Sequence, residues 1–191
     1  MKDSLYTLSL ISVAYIIMFS LTFGFIFPLQ QILFSGVSAQ IGLLFLPHGV
    51  RVLTLYFYGW RGMLYLLPAS YLMFCLSVGQ TGQSLFAPIV SLVGCYLGMQ
   101  FVRLSFADTK SFSFKRHDWK LMFWGGVAAS ILNALGLAIF DHGLNDTLFS
   151  TVRQLDVLGY VIGDVLGLML CLASVVYLFR MIKHLKVIPD T

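Results

Sequence analysis

Residues 5–27 read LYTLSLISVAYIIMFSLTFGFIF, a run without a single charged side chain. A helix rises about 1.5 Å per residue and the hydrocarbon core of a bilayer is about 30 Å thick, so about 20 apolar residues cross it. Lys2 ahead of the run and Val37-Ser38-Ala39 beyond it imitate the flanks of a cleaved leader. The run is too long for that, because a secretory apolar region covers about 7–15 residues. It reads as an uncleaved first span.

Working outward, five more apolar segments follow at Ala39–Trp60, Met63–Val78, Leu85–Ser105, Leu121–Phe140 and Val157–Phe179. The expected fold is all-α: a polytopic transmembrane bundle of six spans, forming a single membrane domain over residues 1–191. The second segment holds His48 and Arg51, so a re-entrant second segment with five true spans is the alternative. Composition agrees with a lipid-facing surface. The chain is 59% hydrophobic and 10% charged, with a mean hydropathy of +0.88. Soluble domains carry about 25% charged residues to solvate their surface. There is no glutamate, and the aspartates fall mostly in short polar interruptions.

The net charge of +4 does not point to nucleic acid, because the basic residues lie between apolar runs. With the N-terminus inside and the spans alternating, the inner side receives Lys2, Arg61, Arg103, Lys110, Lys115, Arg116, Lys120, Arg180, Lys183 and Lys186. The outer side receives Arg153 alone, and Arg51 lies within the second span. That bias is the positive-inside pattern of a bacterial inner-membrane protein with both termini in the cytoplasm. Dropping the second crossing would move Arg61 and the Arg103–Lys120 cluster to the wrong face.

Gly79–Ser84 then forms a short outer turn and Asp141–Asp156 a larger outer loop. The main inner loop, Ala107–Asp118, interleaves basic residues with Phe112, Phe114 and, just beyond it, Trp119. Lys115, Arg116 and Trp119 are candidate contacts for anionic headgroups or a partner protein. The plainer reading is a positive-inside loop with its aromatic belt.

Glycines recur at four-residue spacing: Gly94 and Gly98 in the fourth span, then Gly159, Gly163 and Gly167 in the sixth. Such spacing leaves one helix face nearly bare, so a neighbouring helix can approach closely. Cys75, Cys95 and Cys171 lie in apolar runs without metal-ligand or redox spacing and read as packing residues.

Ionisable side chains within lipid are costly, so they face the protein interior and take partners. Three qualify, His48, Arg51 and Asp164, with Asn133 and Gln100 as the polar neutral groups. Measured from the outer boundary, Asp164 and Asn133 lie roughly 10 Å deep, His48 roughly 13 Å, Arg51 roughly 18 Å and Gln100 roughly 22 Å. His48 and Arg51 are three residues apart and share a helix face. Pro47 and Gly49 weaken the helix beside them, and broken helices at mid-membrane often line binding sites. The expected arrangement pairs Arg51 with Asp164 beneath an outward-opening polar pocket, with His48 and Asn133 in its wall. The same pair would equally serve as a plain fastener between two helices. His48 has no second intramembrane histidine with which to hold a haem. No metal-ligand motif, nucleophile–base arrangement or phosphate-binding loop is present, so neither a metal nor catalysis is expected, and no cofactor can be named.

Two of these stretches resemble a known family. Pro47-His48-Gly49 followed by Gly59-Trp60-Arg61, and Gly163-Asp164-Val165-Leu166-Gly167 in the last span, are similar to signature motifs of MASE1 domains. Those are bacterial membrane-associated sensory domains, commonly longer and fused to a kinase or diguanylate cyclase. The sequence carries Ala173 where the family often has a proline. The resemblance implies a stand-alone sensory or ligand-binding module that signals through a separate membrane or signalling protein. An accessory subunit of a larger complex and a small-solute transporter are the other readings.

Overall fold

The computed structural model describes residues 2–33, 42–77, 85–105, 118–142 and 151–185. The first apolar run is helical beyond the expected span, as α1 (Lys2–Leu21), a π-helical turn (Thr22–Ile26) and α2 (Phe27–Leu33). A proline ring crowds the carbonyl four residues back. For Pro28 that is Gly24, inside the widened turn. The rings of Phe19, Phe23 and Phe27 stack along this stretch at 4.5 and 5.2 Å.

The second segment is broken. Residues 42–45 are not helical, and α3 runs only from Leu46 to Tyr58. Pro47 stands in the first turn of α3, the one helical position where a missing N–H costs nothing. Gly59 closes α3 with φ +57° and ψ −135°, a conformation that a side chain would strain. The chain then reverses into α4 (Trp60–Ser77). The remaining elements are α5 (Ala87–Ser105), α6 (Asp118–His142) and α7 (Thr151–Leu185), and no strand occurs among the described residues.

Among the described residues, four helical stretches are long and apolar enough to cross a membrane: Asp3–Leu33, Ala87–Ser105, Trp119–Leu137 and Val157–Leu178. The 13 residues of α3 and the 18 of α4 extend only about 20 and 27 Å. The exterior has the character of a bilayer-facing surface. Leu10, Ile17, Leu76, Phe101 and Leu104 are all exposed, whereas His48, Arg51 and Asp164 are buried.

The helices alternate in direction. Ser4 meets Tyr65, so α1 and α4 run parallel. Glycines 94 and 98 meet Asn133 and Ala129 in turn, so α5 and α6 run antiparallel. Gly49 faces Cys171 while Gly163 and Gly167 face residues 42 and 45, so α3 runs with α7. Two apolar clusters result. Ile11, Tyr15, Phe19, Leu66, Ala69 and Met73 join α1 to α4. Val52, Leu55, Cys95, Met99, Ala129 and Leu168 join α3, α5, α6 and α7.

The glycines behave as the spacing implies in one place and differently in another. Gly94 and Gly98 bring α5 onto the backbone of α6, where a methyl group on Gly98 would overlap Ala129. The face of Gly163 and Gly167 does not receive a neighbouring helix there. It receives the non-helical backbone of residues 42–45, with the carbonyls of Gly42 and Phe45 filling the space a methyl group would need. Only a bare helix surface admits an extended chain so closely, and the carbonyl of Gly163 accepts a hydrogen bond from Phe45 N–H at 2.9 Å. Gly159 is buried on the same helix.

Candidate functional site

Non-helical backbone inside a membrane protein must find its hydrogen bonds within the protein. Here it does. Leu43 N–H donates to Gln30 Oε1 at 2.8 Å, Phe45 N–H to Gly163 O, and Leu46 N–H to Thr22 Oγ1 at 3.3 Å. Thr22 in turn donates its hydroxyl to Met18 O at 2.9 Å. The π turn of the first helix and the glycine face of α7 thus form the two walls that hold the broken segment. His48 N–H donates to Phe45 O at 3.3 Å, which opens α3 directly above this cradle.

Those contacts place His48 where α3, α6 and α7 meet. The imidazole is fully buried. Its Nε2 lies 3.1 Å from the carbonyl of Gly126, which only accepts, so Nε2 carries the proton. Nδ1 lies 3.3 Å from Asp164 Oδ2, outside the alignment of a hydrogen bond. The contact is therefore an electrostatic one. Asp164 Oδ2 also accepts from Ser130 Oγ at 3.1 Å and, at the long limit, from Asn133 Nδ2 at 3.5 Å. The other amide atom of Asn133, Oδ1, is buried without a hydrogen-bond partner.

Arg51 points away from Asp164. Its guanidinium donates to Ser91 Oγ on α5 and to Tyr15 OH on α1, both at 2.6 Å. It lies against the rings of Tyr15 and Phe45 at 5.5 and 5.6 Å, and its Nε is buried without a hydrogen-bond partner. The basic side chain that faces Asp164 is therefore His48, not Arg51. Three positions along a helix turn a side chain by about 300°, about 60° short of a full turn. That is enough to send His48 toward α6 and α7, and Arg51 toward α1 and α5.

Of the expected site residues, the structure brings together His48, Asn133 and Asp164, and it sets Arg51 in an adjoining polar cluster. Gln100 is half-buried and makes no hydrogen bond to either. Tyr15, Ser91 and Ser130 belong to the site and went unread. Ser130 had a signal, since it precedes Asn133 by three residues and so shares its helix face. Trp119 is exposed, while Lys115 and Arg116 lie outside the described residues. Cys95 and Cys171 are buried packing residues as expected, and Cys75 is exposed.

Chemically the cluster is a small set of acceptors and donors with little slack. A neutral imidazole donates at one nitrogen only, and Gly126 takes that donor. Nδ1 then offers a lone pair to a carboxylate, and one further proton on either group converts that contact to attraction. Compared with protein-family models, curated proteins and solved structures, the chain matches none of them. What fold and site together define is a helical protein with helices long and apolar enough to cross a bilayer and a buried histidine–aspartate contact at a broken helix.

Proposed function

We propose that this chain is a sensory module of the MASE1-like type in a bacterial inner membrane, signalling through a separate protein. It crosses six times with both termini in the cytoplasm. The alternating directions of the six helices and the inward bias of Lys and Arg support that topology. Although α3 is short, the non-helical residues 42–45 ahead of it lengthen the second segment.

One observation carries the sensory reading: the buried His48–Asp164 contact at the start of a broken helix. Burying polar groups costs free energy unless each is well paired. Here the pair sits where three helices and a wedge of non-helical backbone share one junction, so a small change at the pair moves α3 against α7. The Gly-Asp-x-x-Gly motif that resembles the sensory family supplies both the acid and the bare face on which the wedge rests.

The test is purification of the full chain in mild detergent with mass spectrometry of what accompanies it. A kinase or cyclase in fixed stoichiometry is expected, with its activity altered by His48→Gln or Asp164→Asn. Fixed stoichiometry with an enzyme complex and no signalling protein would favour the accessory-subunit reading. A co-purifying solute that the chain also moves across vesicles would make it a transporter.

A further inference from the structure

α6 and α7 touch tightly at Gly126, where a methyl group would overlap Leu168. From that contact toward the start of α6 the two helices leave a groove of about 540 Å³. Phe123, Leu172 and the short side chain of Ala173 line it, with Trp119 from the start of α6 and Tyr177 and Arg180 from further along α7. The volume falls within the about 300–1,000 Å³ of small-molecule sites.

The groove is apolar and its end is cationic. Lys120 lies 6.0 Å from the ring of Trp119, and Arg180 lines the groove itself. The antiparallel course of α6 and α7 sets the start of one beside the end of the other. In sequence that end carries Lys115, Arg116 and Lys120 on one side and Arg180, Lys183 and Lys186 on the other, six basic residues against Asp108, Asp118 and Asp190. An occupant must therefore pair an apolar chain with a negative head.

We propose that this groove binds an acyl chain of an anionic phospholipid, with its phosphate held by Arg180 and Lys120. Long basic side chains lie along apolar surface while keeping their charge at the headgroup level. Trp119 and Tyr177 occupy the depth that aromatic residues favour at a membrane interface. A zwitterionic lipid would satisfy the groove but not the charge, so the site discriminates between headgroups.

Tryptophan quenching tests this on the full chain in nanodiscs. Trp60→Phe and Trp124→Phe, both at exposed positions, leave Trp119 as the reporter. Phosphatidylglycerol brominated on its acyl chains is compared with brominated phosphatidylcholine at the same low fraction. Quenching several-fold stronger and saturable with phosphatidylglycerol is expected. Arg180→Gln with Lys120→Gln should reduce it to the phosphatidylcholine level, and Ala173→Phe should reduce quenching by both lipids. Equal quenching by the two lipids in the parent protein overturns the proposal. So does a preference that survives the double glutamine variant. Protection of Trp119 from both lipids would show that protein covers the groove, and would overturn it as well.

Discussion

His48 turns one ring nitrogen to the Gly126 carbonyl and the other to the Asp164 carboxylate, so one side chain ties α3 to α6 and α7. Arg51, one turn on, ties α3 to α1 and α5 through Tyr15 and Ser91. The two basic residues thus serve different junctions, and mutant cycles should separate them. Contacting residues couple by about 0.5–3 kcal/mol, whereas residues without shared partners add nearly independently. His48→Gln and Asp164→Asn should show coupling in that range, measured by thermal or denaturant unfolding in detergent. Arg51→Gln with Asp164→Asn should be close to additive. The opposite order would return Asp164 to Arg51. Tyr15→Phe leaves a buried guanidinium N–H without its acceptor and should cost about 1–3 kcal/mol, with little change in packing volume. That three ionisable groups lie inside the bundle was legible, since membrane charges are few. Which of them meet was not, because it depends on side-chain direction around the helix rather than on depth along it.

At the scale of the helices, the glycine face of α7 separates close approach from its partner. Gly163 and Gly167 hold backbone against backbone, so the atoms that a side chain would strike are the carbonyls of Gly42 and Phe45 rather than flexible groups. Gly163→Ala and Gly167→Ala should therefore each destabilise strongly, by more than the about 1–3 kcal/mol typical of overpacking a core, and displace the segment that opens α3. Gly24 meets nothing within 4 Å, so Gly24→Ala should be neutral or gain about 0.5–1 kcal/mol. Comparable losses at all three sites would show that the face is not a cradle. The spacing of these glycines told of a bare surface, and Gly94 and Gly98 do seat α5 on α6 as such spacing implies. It could not tell that an extended segment, not a helix, lies on α7. The signal was in Pro47, which belongs in the first turn of a helix. Its position starts α3 at Leu46 and leaves the residues before it to run extended.

Over the whole molecule, long apolar runs decided the helical architecture, because about 20 uncharged residues in a row have few other outcomes. Sidedness is a separate matter, and the proposed six crossings make it testable. α1, α4 and α6 run one way through the bundle, and α3, α5 and α7 the other. Each successive linker therefore emerges at the opposite end. The end that holds Lys2, Arg61, Arg103, Lys120 and Arg180 is the basic one, and basic segments are retained in the cytoplasm. In sequence Ser111 falls between the end of α5 and the start of α6, which are at that end, and Gln80 between the end of α4 and the start of α5, which are at the other. Cys75 is exposed and must first be replaced, whereas Cys95 and Cys171 are buried and should label slowly. In that background Gln80→Cys should react with an impermeant maleimide added to spheroplasts, and Ser111→Cys only after the membrane is opened. Reaction of Ser111→Cys from outside would remove one crossing ahead of it. α3 is the element to give way, because the non-helical residues 42–45 lead into it and its 13 residues make it shorter than α4, α5, α6 and α7. The 42–58 segment would then be re-entrant, returning to the side it came from, and its polar junction would open to the opposite face of the membrane.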